Sequence, residues 1–291
     1  MYYKKQFKLV DNYYGKARVR LVKVIREPEK HILKELTVNV RLEGNFTVAY
    51  TSSNNHIVLP TDTIKNTIYV FAKTHPLNSI EQFGLDVSQH FETRLPHVNK
   101  VAVELEETLW QRLTVSGESH PHAFIGGNSE KRTSIVTRSA NGTQVQSGIK
   151  DLFILKTTGS GFSGFIRDEY TTLKETDDRI LSTIITAIWD YKSDDVDFLT
   201  CSQSIRHTLI STFAKHYSHS LQQTLYTMAE AVLAECPALA EIHLSMPNKH
   251  NLLVDLTSFG LQNNNEIFRP TDEPYGVIEG RVRPSNRANP S

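Results

Sequence analysis

Apolar and polar residues alternate through two long stretches near the start of the chain. In Lys16-Ala-Arg-Val-Arg-Leu-Val-Lys-Val-Ile25 and Glu35-Leu-Thr-Val-Asn-Val-Arg-Leu42 the period is two, which places every second side chain on one face of a strand. Strands are predicted over 14–27 and 31–50, joined by a turn at Glu27-Pro28-Glu29. The period then changes. Ile64, Ile68, Phe71 and Ala72 recur at helical spacing between Thr61 and Pro76, and Ile80, Phe83, Val87 and Phe91 do so between Ser79 and Pro96. Strands return at 100–111 and 121–138. Beyond the turn signal Asn141-Gly142 the order repeats, with strands at 148–173 and 182–192, helices at 203–217 and 220–235, and strands at 239–246 and 251–257. Each half reads strand–strand–helix–helix–strand–strand, the mark of a duplicated module. The expected class is α+β, with antiparallel sheets carrying paired helices on one face. The modules are assigned to 1–140 and 141–280, and residues 281–291, rich in Pro, Asn and Arg, to a mobile tail.

Composition narrows the partners. Lys plus Arg and Asp plus Glu are both 32, so the formal charge is zero. That argues against nucleic acid, which needs a basic excess or patch, and it offers little repulsion to self-association. No apolar run approaches the length of a membrane span. The first residues lack the apolar core of a secretory signal, and the chain ends in Asn289-Pro290-Ser291, not a peroxisomal tripeptide. The expected setting is the cytoplasm. Cys201 and Cys236 are too few for a disulfide framework and are expected as separate buried, small apolar residues.

Four segments carry candidate chemistry. Gly161 to Arg179 begins as a predicted strand and crowds Phe162, Phe165 and Tyr170 among many charges. It reads either as a solvated edge strand or as a pocket wall, with an aromatic face and a guanidinium fork for a flat anionic ring. Thr61 and Asp62 open a helix; both residue types cap helices, and a threonine hydroxyl there can also relay a proton. Lys16, after Tyr14-Gly15, is an ordinary edge lysine unless burial or a neighbouring cation weakens its hold on the proton. Met246-Pro-Asn-Lys-His-Asn251 is expected as a strand–strand connection that offers an amide, a cation and an imidazole. Ser220-Leu-Gln-Gln223 fits a capping box, which frees the Gln222 amide to pair with a lactam or purine edge. His120 and His122 lack a third ligand nearby, so no metal is assigned. No Gly-rich phosphate loop, dinucleotide fingerprint or GxSxG motif is present.

Taken together, Tyr-Gly-Lys16, Pro60-Thr-Asp-Thr-Ile-Lys-Asn-Thr67, Phe162-Ser-Gly-Phe-Ile-Arg-Asp-Glu-Tyr-Thr-Thr-Leu173 and Pro247-Asn-Lys-His250 closely resemble the urate oxidase (uricase) family of the T-fold, or tunnelling-fold, group. The resemblance implies two tandem T-fold modules assembling into a barrel around a tunnel. It implies a homotetramer with active sites at subunit interfaces, and oxidation of urate by dioxygen without a cofactor, giving 5-hydroxyisourate and hydrogen peroxide. Lys16, Thr61 and His250 would form the proton relay. Phe162 would stack on the purine, Arg179 and Gln222 would grip its edges, and Leu173 and Leu221 would line the pocket. Asn248 would face the dioxygen or water site. Lys16, Thr61 and Asp62 would come from one chain, and Phe162, Arg179, Gln222 and Asn248 from its neighbour. Two rivals are a pterin-handling T-fold enzyme, which would call for a Glu anchor, and a purine-binding scaffold without turnover.

Overall fold

The computed structural model describes residues 7–126 and 129–285. Two compact units divide the chain. The first runs to Ser147 and includes Ser193–Phe198; the second holds Gly148–Lys192 and continues from Leu199.

In the first unit β1 (Tyr13–Arg26) and β2 (His31–Gly44) form a hairpin in which Arg26 faces His31. The alternation of β2 maps directly onto burial: Leu36, Val38, Val40 and Leu42 all lie in the core. The chain then leaves the sheet. Residues 45–50, expected to continue the strand, instead enter a short helix, α1 (Thr47–Ser52). The alternation ends at Leu42, and Phe46 is fully buried between the rings of Tyr14 and His97. Helices α2 (Thr61–Thr74) and α3 (Ile80–Arg94) cover the sheet with Ile64, Ile68 and Ala72 and with Ile80, Phe83, Val87 and Phe91. Each large apolar side chain so buried contributes about 1.5–3 kcal/mol. Ser116 and Gly117, both at positive φ, turn β4 (Gln111–Val115) back into β5 (Glu118–Ile125). The strand predicted over 121–138 is two strands, for β5 ends at Ile125 and the next begins at Lys131. This strand, β6 (Lys131–Ser139), pairs with β3 (Val98–Thr108), giving the order β1-β2-β3-β6. Buried Glu81 is no catalytic candidate. Its carboxylate is saturated by Ser79, Ser147 and Arg132, which is how a buried charge is tolerated.

Strand β7 (Gly142–Lys156) crosses into the second unit, where the order is β7-β8-β10-β11 and β9 also borders β8. These strands are β8 (Leu181–Tyr191), β9 (Leu239–Ser245), β10 (Asn248–Leu253) and β11 (Phe268–Gly276); β12 (Glu279–Val282) pairs with β9. Helices α4 (Phe198–Lys215) and α5 (Leu221–Glu235) separate β8 from β9. The architecture is α+β and antiparallel, as expected. Three local expectations are corrected. The expected strand over 148–173 ends at Lys156. The 248–251 connection is the start of β10. Arg281 and Val282, assigned to the tail, belong to β12, while 286–291 lie outside the described residues. Cys201 and Cys236 are buried but bonded to each other, with Cα atoms 6.5 Å apart. Their separation of 35 positions concealed that the end of α5 returns to the start of α4.

Each unit caps its first long helix with a lysine from a strand. Lys23 Nζ donates to Ala72 O (2.9 Å) and to His75 O; Lys156 Nζ donates to Phe213 O (3.4 Å) and to His216 O. Burial, helped by the nearby lysine charge, holds His75 and His216 below the ordinary histidine range, although Asp86 partly opposes this at His75. A depressed histidine favours the fold above its unfolded pKa of about 6.5. As pH falls below that value the unfolded chain takes up protons first, and stability drops towards the folded pKa. Melting temperature is therefore expected to fall between pH 7 and pH 5, and the double variant His75→Gln/His216→Gln to flatten that slope. An unchanged slope in the double variant would contradict this assignment.

Candidate active site

The first unit gathers Lys16, Thr61 and Asp62 at the end of β1. A Cβ on Gly15 would lie 1.8 Å from Val40 O, so only glycine lets β1 approach β2 here. Just beyond, the register slips between Lys16 and Val19; Arg18 adopts φ 56° and its N–H donates to Asn39 Oδ1 (2.7 Å). Such a bulge re-aims the side chains around it. Half-buried Lys16 lines a cavity of about 480 Å³ with Tyr13, Gly15, Asn39, Arg41 and Glu104. The Tyr14 hydroxyl accepts from Leu59 N (2.9 Å) and ties the entry of α2 to β1. The cap of α2 is Pro60, not Thr61, and makes no side-chain capping bond. Thr61 therefore sits in the first turn, exposed, with its hydroxyl unpartnered among the described residues. Asp62 accepts from Lys65 and from Asn66 (3.0 Å). Lys65 holds its carboxyl below the usual range, aided by Asn66 and, more weakly, by the charge of Lys16. That influence places Lys16 within electrostatic reach of the helix start.

The second unit brings Phe162 and Arg179 together in a pinned loop, not the predicted strand. Gly159 (φ 73°) and Gly164 (φ 70°) interrupt extended backbone on either side. Phe162 N donates to Thr176 O (2.7 Å), and Phe162 O accepts from Thr176 N (3.1 Å). The Arg179 guanidinium carbon lies 5.3 Å from the Phe162 ring centre, within cation–π range. Burial pushes the Arg179 pKa down, yet a guanidinium stays charged in proteins. Its Nε is buried with no partner among the described residues. Phe165 stacks on Phe162 at 5.0 Å and 12°. Most of the surrounding charge is structural: Asp168 accepts from Tyr170 N and Thr171, Glu175 from Gly164 N, and Asp178 from Thr158. Tyr170 and Leu173 are exposed, at 82% and 55%.

Ser220 caps α5 by accepting from Gln223 N (3.1 Å), and Gln223 reaches back to His219 N (3.1 Å), one residue earlier than a standard capping box. Gln222 is left exposed, while the Leu221 side chain is core at 2%. Asn248 pairs with Thr183 on β8 and Gly276 on β11, and the register slips before His250. Lys249 is committed to Asp272 (3.4 Å) and the Tyr275 ring (5.3 Å). The side chains of Asn248 and His250 make no hydrogen bond among the described residues. His120 and His122 touch edge to face, and no group of three or more metal-ligand side chains converges among the described residues. Sequence reasoning missed Tyr217, whose hydroxyl donates to Asp177 O; a lone tyrosine between two helices carries no pattern.

Paired helices on antiparallel strands, with a half-buried arginine lying against an aromatic ring and its Nε without a partner among the described residues, define a T-fold protein. The Uricase family model matches residues 12–137 and 145–279. The uricase of Arthrobacter globiformis is 43% identical over 97% of this chain and 92% of its own, and that of Dictyostelium discoideum is 38% identical over 96% and 98%. The crystal structure of the Arthrobacter globiformis uricase superposes with a TM-score of 0.90 at 41% identity, covering 97% of this chain and 96% of that one. The chain belongs to the uricase family. No helix among the described residues is long and apolar enough to cross a membrane.

Proposed function

We propose that this chain is a urate oxidase that converts urate, dioxygen and water to 5-hydroxyisourate and hydrogen peroxide without a cofactor. Membership of the uricase family over nearly the whole chain supports urate as the substrate. The observation that carries the reading is Arg179, a desolvated cation against an aromatic ring with an unpartnered Nε. Urate is a flat monoanion at neutral pH, so Arg179 supplies both charge and fork geometry. Phe162 stacks on the ring. Gln222 pairs with the opposite edge, Leu173 and the backbone of Leu221 line the pocket, and Asp62 supports Thr61. Asn248 faces dioxygen or water.

Removal of a second proton leaves an electron-rich dianion. Lys16, Thr61 and His250 carry that proton away. Two electrons then pass from the dianion to dioxygen; the proton held by the relay and the proton released by the attacking water complete hydrogen peroxide, while the hydroxide of that water adds at the oxidised ring carbon. Lys16 and Thr61 belong to the first unit and Arg179 and His250 to the second; on the resemblance to the uricase family, we assign the two halves of each site to neighbouring chains of a homotetramer. Among the described residues, strand β1 has only β2 beside it, and β11 only β10; open edges of this kind favour pairing with another copy around a tunnel. The repeated element order and the matched Lys23 and Lys156 caps support two modules, 1–140 and 141–280, ahead of a short tail.

The experiment is direct. Chelator-treated, dialysed protein is mixed with urate, and urate absorbance and peroxide are followed together. One peroxide per urate is expected, undiminished by metal removal. Urate loss that returns only when metal is restored would overturn the cofactor-free reading, and binding without turnover would favour a scaffold.

A further inference from the structure

The two residues assigned to the purine edges, Arg179 and Gln222, lie on separate segments, and the link between α4 and α5 joins them. Arg179 ends an irregular loop that has no ladder of its own beyond the Phe162–Thr176 bridge. The loop is clasped from outside by residues 217 and 218. Gly161 N donates to Ser218 O (2.8 Å), and Ser218 N donates to Gly159 O (3.0 Å). The Tyr217 hydroxyl donates to Asp177 O, two residues before Arg179. The clasp is tight, for a Cβ on Gly161 would lie 2.9 Å from the Tyr217 hydroxyl and 3.0 Å from Thr176 O. On its other side the same link is locked to α5. Ser218 is fully buried, accepts from Thr224 Oγ1 (2.7 Å) and donates to Ser220 O (3.1 Å), and Ser220 caps the turn that carries Gln222. Among the described residues, the Tyr217 hydroxyl is the only side-chain group that holds the loop to this link; the others are backbone.

We infer that Tyr217 is a positioning residue that fixes Arg179 relative to Gln222 and so sets the spacing of the two edge contacts. The inference rests on the proposed reading of the site. Tyr217 touches no substrate atom; it acts through the Asp177 carbonyl. Without its hydroxyl the loop keeps the Phe162–Thr176 bridge and the Ser218 contacts, but Arg179 is free to shift, and small misplacements of a gripping group weaken binding steeply.

The test is Tyr217→Phe, which removes one oxygen and keeps the ring. The expected result is about a fivefold rise in KM and in the anaerobic Kd for urate, the size of one lost hydrogen bond, with kcat at saturating urate within about twofold. In an Arg179→Lys background, where the fork is already gone, the same change should move Kd by less than about twofold. Gly161→Ala, which pushes the clasp apart without altering Tyr217, should raise KM in the same selective way. A lowered melting temperature with parental KM in Tyr217→Phe would assign Tyr217 to stability alone and overturn the proposal. So would an equal effect in the Arg179→Lys background, or a folded Gly161→Ala protein with parental KM. A wild-type protein that neither binds nor consumes urate would instead overturn the reading of the site, and the proposal with it.

Discussion

Replacing Arg179 by alanine is expected to raise the Kd for urate by about 100-fold, while kcat at saturating urate falls far less. Hydrogen bonds to a charged group contribute about 1.5–3 kcal/mol, and desolvation strengthens this one. Arg179 Nε has no competing partner among the described residues, so the whole fork is available to the ligand. The aromatic side of the pocket should survive the change, because Phe162 is held by backbone bonds to Thr176 and not by the guanidinium. Arg179→Lys should recover only part of the loss, since an ammonium restores charge without the bidentate geometry. Anaerobic titration with urate measures the binding term apart from turnover. An unchanged Kd in Arg179→Ala would remove the central contact of the site.

Replacing Lys16 by alanine should act on the other parameter. A positioned acid–base group contributes about 10²–10⁴-fold to rate, so kcat is expected to fall by that order while the Kd for urate changes little. The local geometry supports this division. Lys16 follows a glycine that no other residue could replace and precedes a bulge, so its placement is built into the backbone. The α2 start that carries Thr61 is tied to the same strand through Tyr14 and Leu59. Thr61→Ala should lower kcat in the same direction. Stopped-flow mixing of variant and urate, first without and then with dioxygen, separates binding from oxidation. Loss of binding alone in Lys16→Ala would contradict the relay.

Much of the scaffold could be read from the pattern of residues. Leu36 to Leu42 alternate in the sequence and alternate in burial, because one face of β2 is core and the other is not. Ile80, Phe83, Val87 and Phe91 likewise bury as one helical face. What was not legible depends on long-range or local-backbone causes. The loop after Lys156 resembles a strand in composition, but glycines at positive φ break it. Strand β11 is mostly exposed and shows no alternation to read. The Cys201–Cys236 bond and the Tyr217 clasp join residues 35 and 40 positions apart, and no local signal announces either. For the candidate residues the motifs indicated which side chains to watch. The structure added the physical state of each: a half-buried Arg179 with an unpartnered Nε among the described residues, a Thr61 that does not cap its helix and an exposed Gln222.

The most direct test of the account is complementation between two inactive variants. Lys16→Ala and Arg179→Ala chains are unfolded together, refolded as a mixture and assayed for peroxide formation at urate well below the wild-type KM, where the weakened binding of Arg179→Ala leaves it nearly inactive. If each site takes Lys16 from one chain and Arg179 from its neighbour, random pairing leaves about a quarter of the sites with both residues intact. The mixture should then recover roughly a quarter of wild-type activity, although neither variant alone is active. A mixture as inactive as its components, under conditions that refold the wild type, would contradict a urate oxidase site shared between chains.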